Sequence, residues 1–293
     1  MLRAAGGAIA GVCSVYAAEV PLVGGRRFWI FRSLLPGAAA EHWPDLVSAT
    51  FAHLDAEFDG APDAPVGLCA LADATERRRR PQAEWAEPPR MIHAGFLDGR
   101  AVRIAYFADA SIAGQQSSVP TTWPPLTDGY RIEPFAEQDT ITGQDIIDLW
   151  TSEQVLALAE AQRRVGEVLL VASDAQRRPV GVSTAYLEHN AQLGCDLWYY
   201  RAFVAHSHRK SAVAVWLAMH GRDLLRERFA GGTDTRAPGM IFEVENEGLK
   251  AYFHQARWRP TEFLFVGVND LGAHVRVHWF PGAIAPEPPH GST

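Results

Sequence analysis

The sequence predicts an α/β (α+β) fold in two domains, and three observations carry that prediction. Short apolar runs with strand character alternate along the chain with segments whose apolar residues recur at helical spacing. Of 293 residues 47% are apolar and only 21% charged, enough for a substantial core and too apolar for a chain that is mainly disordered. Between Ser111 and Gly129 the stretch SIAGQQSSVPTTWPPLTDG breaks all periodicity with Ser, Thr, Gly and Pro, which marks a seam. The expected organisation is an N-terminal α/β domain over 1–110, a linker over 111–128, a second domain over 129–281 and a tail over 282–293.

Before the seam, RFWIFRSL reads as a strand. Trp43, Leu46, Val47, Phe51, Leu54 and Phe58 then make one apolar face of a helix from Glu41 to Phe58. PVGLCALAD is a second strand, and MIHAGFLDGRAVRIAYF is a hairpin turning at Asp98-Gly99, a pair that tolerates positive φ. After the seam YRIEPF opens a strand, and helices reach about Val165. The strands EVLLVAS, PVGVSTAYL and DLWYYRAFV follow, then a helix over Ala212–Phe229, the strand MIFEVE, the helix NEGLKAYFHQA, and the closing strands TEFLFVGV and HVRVHWF. The second half thus reads β, α, α, β, β, β, α, β, α, β, β.

Charge and cysteine content narrow the function. The net charge is −7, divided as −2 before Thr127 (11 basic, 13 acidic) and −5 after it (16 basic, 21 acidic), so neither half suits a nucleic-acid backbone. Cys13, Cys69 and Cys195 are far apart and form no C-x-x-C pair, which fits a reducing cytoplasm better than a disulfide framework or a zinc site. The start MLRAAGGAIAGVCSVYAAEV faintly imitates an export signal, but its apolar run is too short and Gly-broken to span a bilayer, and no membrane partner is expected.

The strand LWYYRAFV leads through a short polar loop into a helix. A helix N-terminus offers unpaired amides and partial positive charge to an anion, and small residues let the anion approach. In RKSAVA, Ala212 and Ala214 are the small positions around Val213, Arg209 and Lys210 add cationic donors, and Ser211 either caps the helix or offers its hydroxyl. An ordinary strand–helix joint with solvated charges is the competing reading.

Arg209-x-x-Ala212-x-Ala214 after that strand resembles the acyl-CoA motif of GNAT-type N-acetyltransferases, with alanine where the family usually has glycine. ENEGLKAYFHQARW, downstream, resembles the family's Asn-then-Tyr helix. The resemblance covers about Gly129 to Pro281. It implies a mixed, largely antiparallel central sheet flanked by helices, whose fourth and fifth strands splay apart to admit acetyl-CoA or another acyl-CoA. Phe203 and Val204 would border that slot, with Arg209, Lys210, Ser211, Ala212, Val213 and Ala214 around the diphosphate. Asn246 would touch the cofactor and Tyr252 would protonate the departing thiolate; the plain alternatives are a helix cap and a core aromatic.

Where many relatives carry a Glu on the fourth strand, this chain has Tyr199. Glu243 and Glu245, on one face of MIFEVE, and Asp196 remain as candidate bases, and an amine arriving neutral needs none. The implied reaction is acyl transfer to a small-molecule or peptide amine by direct attack in a ternary complex. A non-catalytic acyl-CoA-binding or scaffolding protein is the alternative.

Three other motifs carry less. His206-x-His208 lacks the partners of a metal site, and ERRRRP (76–81) reads as a solvated loop. RAAGGA (3–8) matches the acyl-CoA pattern without a strand before it. The first half repeats the strand, helix, strand, hairpin order of the second, which hints at a degenerate tandem copy of the same fold.

Overall fold

In the computed structural model the described residues are 2–3, 7, 9–85, 88–112, 125–126, 128–259 and 261–288. Most of the seam and of RAAGGA lies outside them. Chain order runs β1 (Leu2–Arg3), β2 (Ile9–Val20), β3 (Arg26–Leu34), α1 (Trp43–Ala56), β4 (Gly67–Ala72), α2 (Ala74–Arg79), β5 (Glu84–Trp85), β6 (Met91–Leu97) and β7 (Arg100–Tyr106). The second half continues with β8 (Arg131–Pro134), α3 (Gly143–Ser152), α4 (Leu158–Arg164), β9 (Val168–Ser173), β10 (Pro179–Asn190), β11 (Cys195–Val204), α5 (Val213–Ala230), β12 (Gly239–Val244), α6 (Glu247–Tyr252), β13 (Arg257–Trp258), β14 (Phe263–Val268) and β15 (His274–Trp279).

These strands form two mixed sheets, in the orders β1-β2-β3-β4-β7-β6-β5 and β13-β14-β15-β12-β11-β10-β9-β8. Both are antiparallel except for one parallel pair in each, β3 with β4 and β11 with β12. No described helix is long and apolar enough to cross a membrane.

Two local readings change. The leader-like start becomes the strand β2, paired with β3 from Val12↔Leu34 to Val20↔Arg26; its alternating small and β-branched residues suit a half-buried strand. The expected loop ERRRRP is mostly α2, because Asp73 accepts from the amides of Thr75 and Glu76 and caps a helix there.

The two halves share one core. Phe28, Leu68, Ile92 and Ile104 of the first sheet pack in the same cluster as Leu197, Ile241, Phe265, Val277 and Trp279 of the second. The exchange of contacts is reciprocal. Tyr106 Oη donates to Phe265 O at 2.8 Å, and Trp279 Nε1 donates to His93 O at 3.0 Å. Ile112 N donates to His254 O, and Ala83 N donates to Ala283 O, so the first residues of the expected linker and tail each edge the opposite half.

This reciprocity follows from a common topology. Taking β2, β3, α1, β4, α2, β5, β6 and β7 onto β10, β11, α5, β12, α6, β13, β14 and β15 preserves neighbours and strand directions. The parallel pairs Trp29↔Leu68 and Ile30↔Cys69 then correspond to Trp198↔Met240 and Tyr199↔Ile241. Buried Arg103 corresponds to buried Arg276, and each guanidinium donates to carbonyls before or within its short edge strand, Ala83 and Ala256 among them. The two halves thus share one strand order and one pattern of pairing over these elements.

Gln192 Nε2 joins the two halves at corresponding positions, donating to Ala94 O at 2.9 Å and Val266 O at 2.8 Å. Gly95 (φ 126°) and Gly267 (φ 156°) make bulges beside it, where an added Cβ would fall 2.6 Å from Gln192 O and 2.7 Å from Leu22 O respectively. Backbone cannot yield as a side-chain tip can. Gly95→Ala is therefore expected to cost about 1–3 kcal/mol in denaturant unfolding, through close approach and positive φ together. A change under about 0.5 kcal/mol would show that the joint is not tight.

Candidate functional site

The parallel pair β11–β12 is short. It is paired at Trp198↔Met240 and Tyr199↔Ile241, and beyond these residues the strands diverge, while β12 stays paired to β15 through Val244 and β11 to β10 through Val204. Tyr200 to Val204 therefore turn one strand edge toward an opening. That edge includes Phe203 and Val204, the two residues expected to border a slot.

The loop from Ala205 to Ala212 is held by its own polar groups. A 3-10 turn over His206–His208 starts where His206 N donates to Glu153 Oε2 at 3.0 Å, and Tyr130 Oη pairs with His208 Nδ1 at 2.7 Å. Ser211 Oγ donates to His208 O at 2.5 Å and accepts from Val213 N at 3.4 Å, so this hydroxyl fastens the turn. Ala212 and Val213 are buried where α5 begins, Ala214 is exposed, and the amides of Lys210, Ala212 and Ala214 have no acceptor among the described residues. Arg209 and Lys210 are exposed; Arg209 Nε donates to Val204 O at 3.3 Å, and Lys210 makes no ion pair among the described residues. His206 and His208 belong to no cluster able to hold a metal among the described residues.

Helices α5 and α6 flank the opening on one side of the sheet, where Phe253 at the end of α6 packs on Phe242. Asn246 Oδ1 accepts from Leu249 N at 3.1 Å and caps α6. Tyr252, the last residue of α6, is exposed and stacks edge-on to Phe253 at 5.1 Å; its partial desolvation pushes the phenol up from the ordinary tyrosine value.

The other side of the opening carries Tyr199, Arg201, Phe203 and Glu243, because alternate residues of β11 and β12 share a face. Tyr186 on β10 lies opposite Tyr199 with rings 5.5 Å apart, and the Arg201 guanidinium sits 4.1 Å over the Tyr186 ring. Arg201 also reaches Glu167 at 3.8 Å. Tyr199 Oη accepts from Asn190 Nδ2 at 2.9 Å, and burial raises its phenol, with the Glu243 and Glu188 charges acting in the same direction. A cavity of about 230 Å³ lies on this face, lined by Trp150, Leu156, Arg164, Thr184, Arg201 and Phe203.

The structure thus brings Tyr199 and Glu243 onto one face and separates them from the other two candidate bases. Asp196 pairs with His189 at 3.0 Å at the far end of β11, and Glu245 is exposed beyond the end of β12. Tyr186, Arg201, Glu167 and Arg164 are additions that no local motif signals. Only the register Tyr186↔Tyr199 and the packing of α4 across the sheet bring them together.

No protein-family model matches the chain. No curated protein matches it either. Solved structures do. An acetyltransferase of GNAT family from Streptococcus pneumoniae aligns at 8% identity and TM-score 0.36, covering 52% of this chain and 99% of that one. Arabidopsis thaliana NAA60 in complex with acetyl-CoA aligns at 14% identity and TM-score 0.35, covering 52% and 99%. A spermidine N-acetyltransferase SpeG chimera from Vibrio cholerae and hSSAT aligns at 14% identity and TM-score 0.32, covering 52% and 95%. Each of these alignments spans about half of this chain and nearly all of the other.

Proposed function

We propose that the C-terminal half binds acyl-CoA, acetyl-CoA in the first instance, and transfers the acyl group to an amine by direct attack in a ternary complex. One observation carries this reading: the parallel strands β11 and β12 separate after Tyr199 and Ile241, just ahead of a loop whose amides at Lys210, Ala212 and Ala214 open an 18-residue helix. Unpaired amides, two exposed cations and a free strand edge are what a diphosphate joined to an amide-containing arm requires. The residues present fit that group.

Arg209, Lys210 and the amides of Lys210, Ala212 and Ala214 would hold the diphosphate, while the buried Ala212 and Val213 side chains anchor the turn from below. The edge of β11 through Phe203 and Val204 would bind the arm by its backbone groups. Asn246, with its oxygen committed to the helix cap, offers only its amide N–H groups. Acyl-CoA supplies the activated acyl group as a thioester when bound.

Two proton tasks then fall to opposite sides of the opening. Tyr252, whose phenol carries its proton at neutral pH, gives that proton to the departing sulfur. Glu243 on the other face takes a proton from the incoming small-molecule or peptide amine, and Tyr199, held by Asn190, keeps its own proton and orients that amine. The neutral amine attacks the thioester carbon, the acyl–nitrogen bond forms as the carbon–sulfur bond breaks with its electron pair and the Tyr252 proton going to sulfur, and the proton shed by the acylated nitrogen passes through solvent to restore the tyrosine.

Acetyl-CoA at a hundredfold excess over Kd is expected to stabilise the chain by about 2.7 kcal/mol, read as a thermal shift. With an amine panel, thiol release is expected to fall about 10²-fold or more in Tyr252→Phe and in Glu243→Gln. Wild-type turnover in both variants would overturn the assignment. Tyr199 at the position of the family's usual Glu favours a second reading, an acyl-CoA binder without chemistry; ligand-dependent stabilisation with no thiol release for any amine would support that reading instead.

A further inference from the structure

The correspondence of the two halves places a second opening in the first sheet. There β3 and β4 are paired in parallel at Trp29↔Leu68, Ile30↔Cys69 and Phe31↔Ala70 and diverge beyond, as β11 and β12 do. After β3 the chain runs through the small residues Gly37-Ala38-Ala39-Ala40 into α1, as β11 runs through its loop into α5. A cavity of about 520 Å³ occupies this divergence. Phe31 and Ala70 form its base, Ala40 and Trp43 border it from the entry to α1, and Arg79 and Arg100 line its polar side together with Arg32.

Its charges are unbalanced toward the positive. Three arginines stand against two carboxylates in the lining: Asp73 caps α2 through the amides of Thr75 and Glu76 and keeps a charge that Arg100 partly balances, and Glu76 is ion-paired with Arg80 outside the lining. Arg100 uses one N–H on Leu71 O at 2.8 Å, and Arg32 uses one on Tyr16 Oη at 2.9 Å while its guanidinium lies 4.5 Å over that ring. Arg79 is exposed and makes no hydrogen bond or ion pair among the described residues. Most guanidinium donors here are therefore unused, which suits an anion of several oxygens.

The groups needed for chemistry are missing at the corresponding positions. Ile30 stands where the second half has Tyr199, and Leu71 where it has Glu243. Nothing among the described residues of the first half corresponds to α3 and α4, which wall the cavity beside Arg201.

We propose that this N-terminal cavity is a second, non-reacting site for a diphosphate-bearing ligand of the acyl-CoA class, held by Arg32, Arg79 and Arg100 in the opening between β3 and β4. The ligand class rests on the reading of the C-terminal opening as an acyl-CoA site; the anion preference rests on the arginines alone. A ligand held there would brace β3, β4 and α1 without being consumed.

Equilibrium dialysis of the intact chain against CoA tests this. Two molecules per chain are expected, with Arg79→Glu weakening one site at least tenfold while Arg209→Ala/Lys210→Ala weakens the other. Circular dichroism and the unliganded melting temperature of Arg79→Glu should match wild type, since that side chain supports nothing in the fold. One molecule per chain, insensitive to Arg79→Glu and lost in Arg209→Ala/Lys210→Ala, overturns the proposal and leaves the transferase reading standing. One molecule lost in Arg79→Glu alone sustains the second site and removes the first. Two molecules both indifferent to Arg79→Glu, or none at all, overturn it.

Discussion

Trp279→Ala is expected to destabilise the chain by about 3–5 kcal/mol, the largest effect of any single substitution considered for this fold. Trp279 is 1% exposed, ends β15 and packs in the cluster that draws on both sheets. Truncation removes the indole from a core that cannot close over the space, and it leaves His93 O without its donor. Trp279→Phe keeps most of the volume and loses only the N–H, so about 1–2 kcal/mol is expected. Urea unfolding followed by tryptophan fluorescence and by circular dichroism should give one coincident transition in each protein. Two separated transitions, with Trp279→Ala shifting only one of them, would mean that the halves fold independently and that the shared core is not a single cooperative unit.

The second large effect is acid sensitivity. Burial, with Arg103 and Arg77 adding repulsion, pushes His93 down to about 3; burial, with Arg222, Arg90 and Arg226, does the same to His278. Half-buried His274 follows with a value of about 4. All three are neutral when folded, whereas the unfolded chain takes up protons near the ordinary value of 6.5. Stability is then complete above that value and is lost as pH falls from 6.5 toward 3, at up to about 1.4 kcal/mol per pH unit per histidine. Between pH 7.5 and 5.5 the two buried rings together should cost roughly 2–3 kcal/mol, read as a fall in the urea midpoint. His93→Gln, which keeps a donor for Leu193 O, should flatten that slope. A slope unchanged by His93→Gln and His278→Gln would place the sensitivity elsewhere.

Legibility of the fold differed by region for physical reasons. Between Arg131 and Trp279 each strand is bounded by turn residues and each longer helix has an apolar stripe, so the element order could be read directly. β2 could not, because IAGVCSVYAAEV is rich in small residues that suit a strand, a leader or a loop equally, and only pairing with β3 selects the strand. α2 was hidden by its run of arginines; its helicity comes from the Asp73 cap and the Arg80–Glu76 pair, both local but masked by charge.

The proposed site was legible where one segment supplies it. Arg209 to Ala214 sit at a strand–helix joint, and a joint of that composition can be recognised from neighbours in sequence alone. The choice among its candidate carboxylates was not, since Glu243, Glu245 and Asp196 differ only in where the strands begin, end and face. Strand register puts Glu243 beside Tyr199, turns Glu245 to solvent and sends Asp196 to the far end of β11.

By itself the chain's order of residues determined most elements of the second half, the strand–loop–helix segment with its cations, and the recurrence of one element order in both halves. Tertiary structure alone decided that the halves exchange Tyr106 and Trp279 across a common core, that β11 parts from β12 after Tyr199, and that three arginines distant in sequence, Arg32, Arg79 and Arg100, face one cavity. Propensity and capping act over a few residues and are written locally. Register, divergence and charge balance arise only when segments far apart in the chain are held side by side.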